Sequence, residues 1–183
     1  LIKNPFHVLF TVVSLASTTG ITTVDFNLWP TFVPILMMMV AMIGGCGGST
    51  SGGIKVIRYL LIRNQGRHEI QQLIHPNAVV SIKAGGGKLP DKVANSIWGF
   101  VAVYLFLLGF LILILLATGM NLKTAFGALV VCIANTGASI GDVAHGFSHL
   151  NGGEKWLLIF AMFLGRLEIF TILVLFSPSY WRR

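Results

Sequence analysis

The chain has 183 residues, of which 55% are hydrophobic and only 10% are charged. A soluble domain carries about 25% charged residues, so this composition predicts an integral membrane protein in contact with the lipid bilayer. The net charge of +7 gives no indication of nucleic-acid binding, because the basic residues of a membrane protein report its orientation. The two cysteines, Cys46 and Cys132, fall in Gly-rich or apolar sequence and are not expected to form a disulfide framework.

The first element in the chain is a short apolar run over residues 1–17, and a second run of this kind covers residues 122–134. A helix of about 13 residues is only ~20 Å long, whereas the hydrocarbon core of a bilayer is ~30 Å thick. We therefore expect both runs to form re-entrant half-helices, which enter the membrane and turn back. A Thr-Gly pair follows each run, with its glycine at Gly20 and Gly137 respectively.

A glycine-rich stretch interrupts the next apolar segment, residues 29–62. As one helix this segment would be ~50 Å long, and each glycine in mid-helix costs about 1 kcal/mol relative to alanine. The stretch does not match a phosphate-binding loop, because Ile54 stands where that motif requires lysine. The pattern predicts either an inner helix broken by an intramembrane loop or a kinked span that packs closely on a neighbour. The glycines are Gly44, Gly45, Gly47, Gly48, Gly52 and Gly53.

A polar connection and two full-length spans make up most of the remaining sequence. Residues 63–92 hold or adjoin most of the basic side chains, so the positive-inside rule places this connection and the C-terminus in the cytoplasm. A short apolar run and a glycine cluster within the connection predict either a small hairpin or an ordinary loop. Residues 93–118 and 156–177 are each long enough to cross the bilayer.

The chain also contains an internal repeat. The segment "STTGITTVD", which ends at Asp25, matches "ANTGASIGD", which ends at Asp142. A half-length apolar run precedes each copy and a full span follows it, so the unit consists of helix, half-helix, turn and helix. The first copy lacks its leading helix, and we therefore expect further units upstream of Leu1.

The two Thr-Gly turns predict an ion pore. Bare backbone at membrane depth is tolerated only where it lines a water-filled path or is buried in protein. Glycine permits the positive φ that aims carbonyls inward, and potassium filters use carbonyls to replace the ion's hydration shell. Asp25 and Asp142 would then attract cations at the outer mouth. The predicted filter residues are Thr18, Thr19, Gly20, Asn135, Thr136 and Gly137.

Arg166 is an unusual residue because it lies near the middle of the apolar span 156–177. A buried arginine costs about 3 kcal/mol or more unless it faces a cavity or a partner. Glu168 is only two residues away, about 200° around a helix, so the two side chains do not face each other. We expect Arg166 to face the pore, where its charge acts as an electrostatic barrier; a structural pair with an acid is the alternative.

These motifs carry a family resemblance. The segments "GGCGGSTSGGIK", "NTG" and "KWLLIFAMFLGRLEIFTILVLFSP" resemble the TrkH-type potassium-translocating subunits of the Trk/Ktr/HKT superfamily, over essentially the whole chain. The resemblance implies an all-α integral membrane protein of helix–pore-loop–helix repeats, four to a pore, with a broken inner helix. Residues 1–62 would hold the third-repeat pore helix, filter and gating loop, 63–92 a cytoplasmic connection, and 93–183 the fourth repeat. Ala138 departs from the pattern, which has proline there.

The resemblance also implies the function and the partners. The protein would translocate potassium across the bacterial inner membrane, with the Gly-rich loop and Arg166 as its gate. It would be a homodimer, bound on its inner face by a cytoplasmic nucleotide-binding ring of the TrkA type. It would not be an enzyme, and it would need no cofactor besides the transported K⁺.

Two alternatives remain open. One is a sodium-coupled or poorly selective transporter of the same superfamily. The other is a membrane-embedded hydrolase, for which Ser49 or Ser51 lies in the glycine-rich stretch, although no histidine or lysine is expected at membrane depth as its base. His145 and His149 are four residues apart, as metal ligands on one helix face are, but the sequence offers no third ligand.

Overall fold

The computed structural model describes residues 5–30, 32–46, 51–74, 83–84, 87–88, 91–167, 171 and 178–181. The described chain is almost entirely helical, as predicted. Its α-helices are α1 (Pro5–Ala16), α2 (Phe32–Ile43), α3 (Val56–Ile74), α4 (Asp91–Ala117), α5 (Leu122–Ala134), α6 (Gly152–Arg166) and α7 (Pro178–Trp181). Short 3-10 helices at Phe26–Leu28 and Gly141–His145 follow α1 and α5, and strands β1 (Lys83–Ala84) and β2 (Gly87–Lys88) form a hairpin.

The half-length runs form helices α1 and α5, of 12 and 13 residues, close to their predicted ends. Helix α5 ends because Asn135 takes the left-handed conformation, at φ 55°. Thr18 does the same after α1, at φ 57°. Asparagine tolerates this conformation well, whereas threonine adopts it rarely, so the surrounding structure must hold the turn after α1 in place.

Helix α5 forms the centre of the molecule. It packs against α2, α4 and α6, and every residue from Thr124 to Ala134 except Phe126 is buried. Helix α1 has the same length but packs mainly on α2, and it leaves several large apolar side chains exposed. These are Phe6, Leu9, Phe10 and Val13.

Helix α4 contains a segment, Ser96–Ala117, that is long and apolar enough to cross a membrane, with a mean hydropathy of 3.0. Within the described ranges no other helix meets both criteria. Helix α3 packs on α4, where the guanidinium carbon of Arg58 lies 4.1 Å from the centre of the Phe100 ring. Arginine over an aromatic face is a favourable contact, which anchors the start of α3.

The glycine-rich stretch breaks the third span. Helix α2 ends at Ile43 and α3 begins at Val56, so the alternative of one kinked helix is wrong. The chain between them folds back on the end of α2, since the Ile54 N–H donates to the Met42 carbonyl over 2.9 Å. Gly45 and Gly53 turn the chain with φ of +94° and +84°, a conformation that glycine adopts at little cost.

The polar connection contains both a helix and a hairpin. Helix α3 continues to Ile74, well beyond the predicted end of its span at residue 62. Lys83 pairs with Lys88 and Ala84 with Gly87 in an antiparallel register, so the hairpin prediction is confirmed over an ordinary loop.

Helix α6 starts at Gly152, four residues before the predicted start of the last span at Trp156. Helix α6 extends to Arg166, and Leu167 forms a turn. The prediction of a continuous helix to residue 177 concerns residues that are mostly outside the described part of the chain. Glu168 and four of the loop residues, 47–50, are likewise outside it.

Candidate functional site

The two Thr-Gly turns have the same backbone geometry. Gly20 and Gly137 both have positive φ, of +75° and +94°. In each turn two amide N–H groups donate to carbonyls in the last turn of the preceding helix. The donor–acceptor pairs are Thr18–Leu15 (3.1 Å) and Thr19–Ser14 (2.8 Å) in the first copy, and Asn135–Cys132 (3.3 Å) and Thr136–Val131 (3.2 Å) in the second.

The turns also lie against each other. A Cβ atom built on Gly20 would overlap the carbonyl oxygen of Thr136, and it would lie 3.3 Å from the amide nitrogen of Gly137. A Cβ on Gly137 meets nothing within 4 Å. The sequence predicted each turn separately, and the structure brings the two into direct contact.

Each of the two turns presents three carbonyl groups. Within the described residues no donor reaches the carbonyl oxygens of residues 18–20 or 135–137. The Thr136 hydroxyl is buried and also has no partner there, whereas the Thr19 hydroxyl lies 2.9 Å from that of Ser17. Thr136 is the buried member of these six residues, and a buried hydroxyl normally finds a partner, so its position at the turns requires an explanation.

After each turn the chain returns to the start of the helix that precedes it. The Thr124 hydroxyl, at the start of α5, donates to the Asp142 carboxylate over 2.9 Å and accepts from the Asp142 N–H over 3.3 Å. At the corresponding position of α1, His7 Nδ1 lies 2.9 Å from the Thr23 hydroxyl. In both copies the chain therefore runs back along the helix that precedes the turn.

Asp25 and Asn27 lie at a pocket of about 220 Å³ between the two returning segments. The Asp25 carboxylate accepts hydrogen bonds from the backbone and the side-chain N–H groups of Asn27, both at 2.9 Å. Sequence analysis did not identify Asn27, because its other contacts are with the second repeat. The pocket is lined by Thr22, Thr23, Val24, Asp25, Phe26, Asn27, Ala138, Ser139 and Ala144.

The glycine-rich loop lies against the carboxyl ends of both half-helices. The Gly45 N–H donates to the Ala16 carbonyl at the end of α1 over 3.1 Å. A Cβ on Gly52 would overlap the Ile133 carbonyl at the end of α5. The loop thus approaches both turns from the side opposite to the aspartates, and side chains larger than hydrogen are excluded at Gly52.

Arg166 has an exposed side chain at the end of α6. Its neighbour Gly165 packs so closely on the end of α5 that a Cβ would overlap the Ile133 carbonyl. Gly165 also lines a small cavity together with Ser51 and Gly53 of the loop. The backbone next to Arg166 therefore adjoins the loop.

Lys55 is a second cationic residue at this place, and sequence analysis missed it. It is buried, lines the same cavity as Ser51, and has a positive φ of +68°, which is uncommon for a side chain of this size. Lys55 therefore lies close to one of the two serines that the hydrolase alternative considered. The Tyr104 hydroxyl of α4 adjoins this cavity and has no hydrogen-bond partner among the described residues.

A second polar pocket, of about 300 Å³, holds Asp142, His149 and Glu154 on the side of the aspartates. Hydrogen bonds from the Thr118 side chain and from the Asn151 backbone lower the pKa of Glu154. The side chain of His145 is outside the described part of the chain. Among the described residues, including those of this pocket, no three histidine, cysteine or acidic side chains lie close enough together to hold a metal ion.

Comparison with known proteins assigns the chain to one family. Residues 4–183 match the model of the TrkH family, described as a cation transport protein. The Trk system potassium uptake protein TrkH of Vibrio parahaemolyticus is 47% identical over 174 residues, and TrkG of Escherichia coli is 40% identical over 176. These alignments cover 95% and 96% of this chain. The chain spans 36% of the length of each relative.

A solved structure agrees with the assignment. The crystal structure of the potassium transporter TrkH from Vibrio parahaemolyticus matches with a TM-score of 0.90 and 44% identity, over 98% of this chain and 39% of that one. The fold is that of an all-α membrane transporter. The chain belongs to the TrkH family of cation transport proteins, whose members named here are transporters.

Proposed function

We propose that this chain forms part of a potassium pore, with the carbonyls of residues 18–20 and 135–137 as half of its selectivity filter. The observation that carries the proposal is the pair of equivalent turns, which meet at Gly20 and Thr136 and whose six carbonyls accept no hydrogen bond from the described residues. The relatives are potassium uptake proteins by name, which favours K⁺ as the ion.

The chemistry of such a filter follows from the groups at the turns. A K⁺ ion loses hydration water on entry, and carbonyl oxygens replace that water. The carboxyl ends of α1 and α5 precede the turns, and their partial negative charge stabilises a cation there. The buried Thr136 hydroxyl offers one further oxygen ligand.

The aspartates act before the filter in this proposal. Asp25 and Asp142 follow the turns and attract cations to the outer mouth, which raises the local ion concentration. Thr124 fixes the carboxylate of Asp142, and Asn27 fixes that of Asp25. Held in this way, the carboxylates draw ions inward without coordinating them permanently.

The glycine-rich loop and Arg166 form the gate below the filter. The loop packs on the ends of both half-helices, through Gly45 and Gly52, and would lie in the path of an ion leaving the filter. A fixed positive charge at Arg166 would raise the barrier further for a cation. Displacement of the loop would open the pore.

The inner face suits a regulatory partner. Helix α3 has no buried residue and carries exposed Arg63 and Arg67 beyond the membrane segment. We assign this basic surface to docking of a cytoplasmic nucleotide-binding ring of the TrkA type on a homodimer in the bacterial inner membrane. In this proposal the C-terminus lies on the same, cytoplasmic side.

Tracer uptake into liposomes tests the proposed function. The full-length protein, reconstituted and normalised to folded dimer, should take up radioactive Rb⁺, and external K⁺ should compete far better than Na⁺. Equal competition by the two ions would refute the potassium filter and favour the sodium-coupled or poorly selective alternative.

A further inference from the structure

We propose that Asn27 is a positioning residue that braces the filter turn of the second repeat against the first and thereby sets ion selectivity. The inference rests on the proposed potassium filter and names a residue outside it. Asn27 belongs to the 3-10 helix Phe26–Leu28, which follows the first turn. Its side chain crosses to the segment that follows the second turn.

The contacts use the whole amide group of Asn27. Its side-chain oxygen accepts a hydrogen bond from the Gly141 N–H over 3.0 Å. Its side-chain nitrogen donates to the Ser139 carbonyl over 3.4 Å and to the Asp25 carboxylate over 2.9 Å. One orientation of the amide satisfies all three partners. Aspartate would offer only acceptors to the Ser139 carbonyl and to Asp25.

The brace acts on the segment directly after the second filter turn. Ser139 and Gly141 follow Gly137 by two and four residues, so their positions fix how the carbonyls of the turn are aimed. Gly141 has φ +77° and packs on Thr124, where a Cβ would lie 2.6 Å from the hydroxyl oxygen. The segment is therefore held from α5 on one side and by Asn27 on the other.

The brace has no counterpart in the second repeat. In the register that pairs Asp25 with Asp142, Asn27 corresponds to Ala144, which has no polar side chain. Both residues line the same pocket at the outer mouth. Among the described residues, Asn27 thus supplies the side-chain hydrogen bonds that join the two repeats at this place, and the equivalent Ala144 cannot replace them.

The test uses N27A and N27D in the full-length protein, with N121D as the matched control. N27A removes all three hydrogen bonds. N27D keeps the acceptor for the Gly141 N–H, loses both donor contacts and adds a negative charge beside Asp25. Asn121 is exposed before α5 and makes no side-chain cap hydrogen bond, so N121D adds the same charge without breaking such a contact.

The readout is the preference for K⁺ over Na⁺ in tracer uptake by folded protein, which a merely structural role would not change. We expect both Asn27 variants to lower this ratio by about three- to tenfold, the effect of losing one or two hydrogen bonds that hold the filter. N27D should also raise total cation uptake at low ion concentration, whereas N121D should leave the ratio unchanged.

Several outcomes overturn the inference. An unchanged ratio in N27A and N27D, even with lowered thermal stability, removes the role in selectivity while leaving the potassium filter intact. A fall in N27D and N121D with no change in N27A assigns the effect to the added negative charge. If the wild-type protein itself does not prefer K⁺, the filter proposal fails and the brace fails with it. Should N27A not fold, N27D decides, since it retains one contact and the size of the side chain.

Discussion

Gly20 and Thr136 meet where the two repeats adjoin, and the space for a Cβ on Gly20 is taken by the Thr136 carbonyl oxygen. The glycine is required there for two separate reasons, its positive φ and the lack of space. Gly137 needs glycine only for its φ of +94°, since nothing lies within 4 Å of a Cβ there. The equivalent glycines of the repeat should therefore differ in their tolerance of substitution.

We predict that Gly20→Ser lowers the K⁺/Na⁺ uptake ratio by more than about tenfold, and that Gly137→Ser lowers it by less. Strain from positive φ costs about 1–2 kcal/mol and applies to both, whereas overlap with the opposite turn applies to Gly20 alone. Gly119→Ser is the matched control, because Gly119 also has φ +94° and open space, in the turn between α4 and α5. It should lose stability without a change in the ratio.

Equal ratios for wild type, Gly20→Ser and Gly137→Ser would remove these turns from the filter. A larger effect at Gly137 than at Gly20 would show that the contact between the two turns does not determine selectivity. Circular dichroism and size-exclusion profiles of each purified variant separate these results from misfolding.

The proposed gate gives a second prediction. Arg166→Ala should raise Rb⁺ uptake by folded protein, because it removes a positive charge from the path of a cation. Deleting two glycines of the loop should raise it as well. Both changes affect one constriction, so their combined effect should be smaller than the sum of the two.

The control for the gate is Arg166→Lys, which keeps the charge and should transport nearly as wild type does. A structural arginine would instead give poorly folded Arg166→Ala protein. Well-folded Arg166→Ala protein with uptake at or below the wild-type level would exclude the electrostatic barrier.

Local sequence signals predicted the elements that form the turns. Helix α5 has the predicted ends, because its apolar run begins at Leu122 and an Asn-Thr-Gly turn stops it. The break after Ile43 was also predictable, since six glycines are incompatible with a continuous helix. Repetition of the turn added a second independent signal.

Two helix boundaries were missed for different reasons. Helix α3 continues to Ile74 through a polar segment, in which no residue is buried, so hydrophobic periodicity could not reveal it. The earlier start of α6 had a usable signal, because the Asn151 N–H donates to the Glu154 carboxylate over 2.9 Å. That Asn-x-x-Glu pattern resembles a capping box and marks a helix start.

The contacts between repeats could not be predicted from sequence. Asn27 and Ser139 are far apart in the chain, and neither belongs to a local motif. Lys55 is a further example, since its burial depends on how the loop packs between α4 and α6. Such residues are identified only when the tertiary structure is known.

Thr124 supplies a third prediction, because its hydroxyl donates to the Asp142 carboxylate. Thr124→Val should lower the stability by about 1.5–3 kcal/mol, as for a hydrogen bond to a charged group. It should also raise the K⁺ concentration needed for half-maximal uptake, since Asp142 is no longer held at the mouth. Denaturant titration and concentration-dependent uptake measure the two effects.

Thr11→Val is the control for Thr124→Val. Thr11 is buried in the other half-helix, and its hydroxyl donates to the His7 carbonyl over 2.8 Å within the helix. Its loss should cost only about 0.5–1.5 kcal/mol and leave the half-maximal concentration unchanged. A similar shift in both variants would contradict the assignment of Asp142 to ion entry.

Glu154 gives a prediction for pH. Hydrogen bonds from Thr118 and Asn151 lower the pKa of Glu154 in the folded protein, so folding favours its charged form. The resulting stabilisation is fully present above the pKa of an unfolded glutamate, about 4.3, and is lost as the pH falls through the lower pKa of the folded state.

The wild-type melting temperature should therefore fall on acidification in this range. Glu154→Gln should melt lower than wild type at pH 7 and vary less with pH, so that the two curves converge in acid. Glu69→Gln, on the exposed side of α3, should follow the wild-type curve. Melting curves of wild type and Glu154→Gln that remain parallel from pH 7 to pH 3 would show that these hydrogen bonds do not stabilise the charged carboxylate.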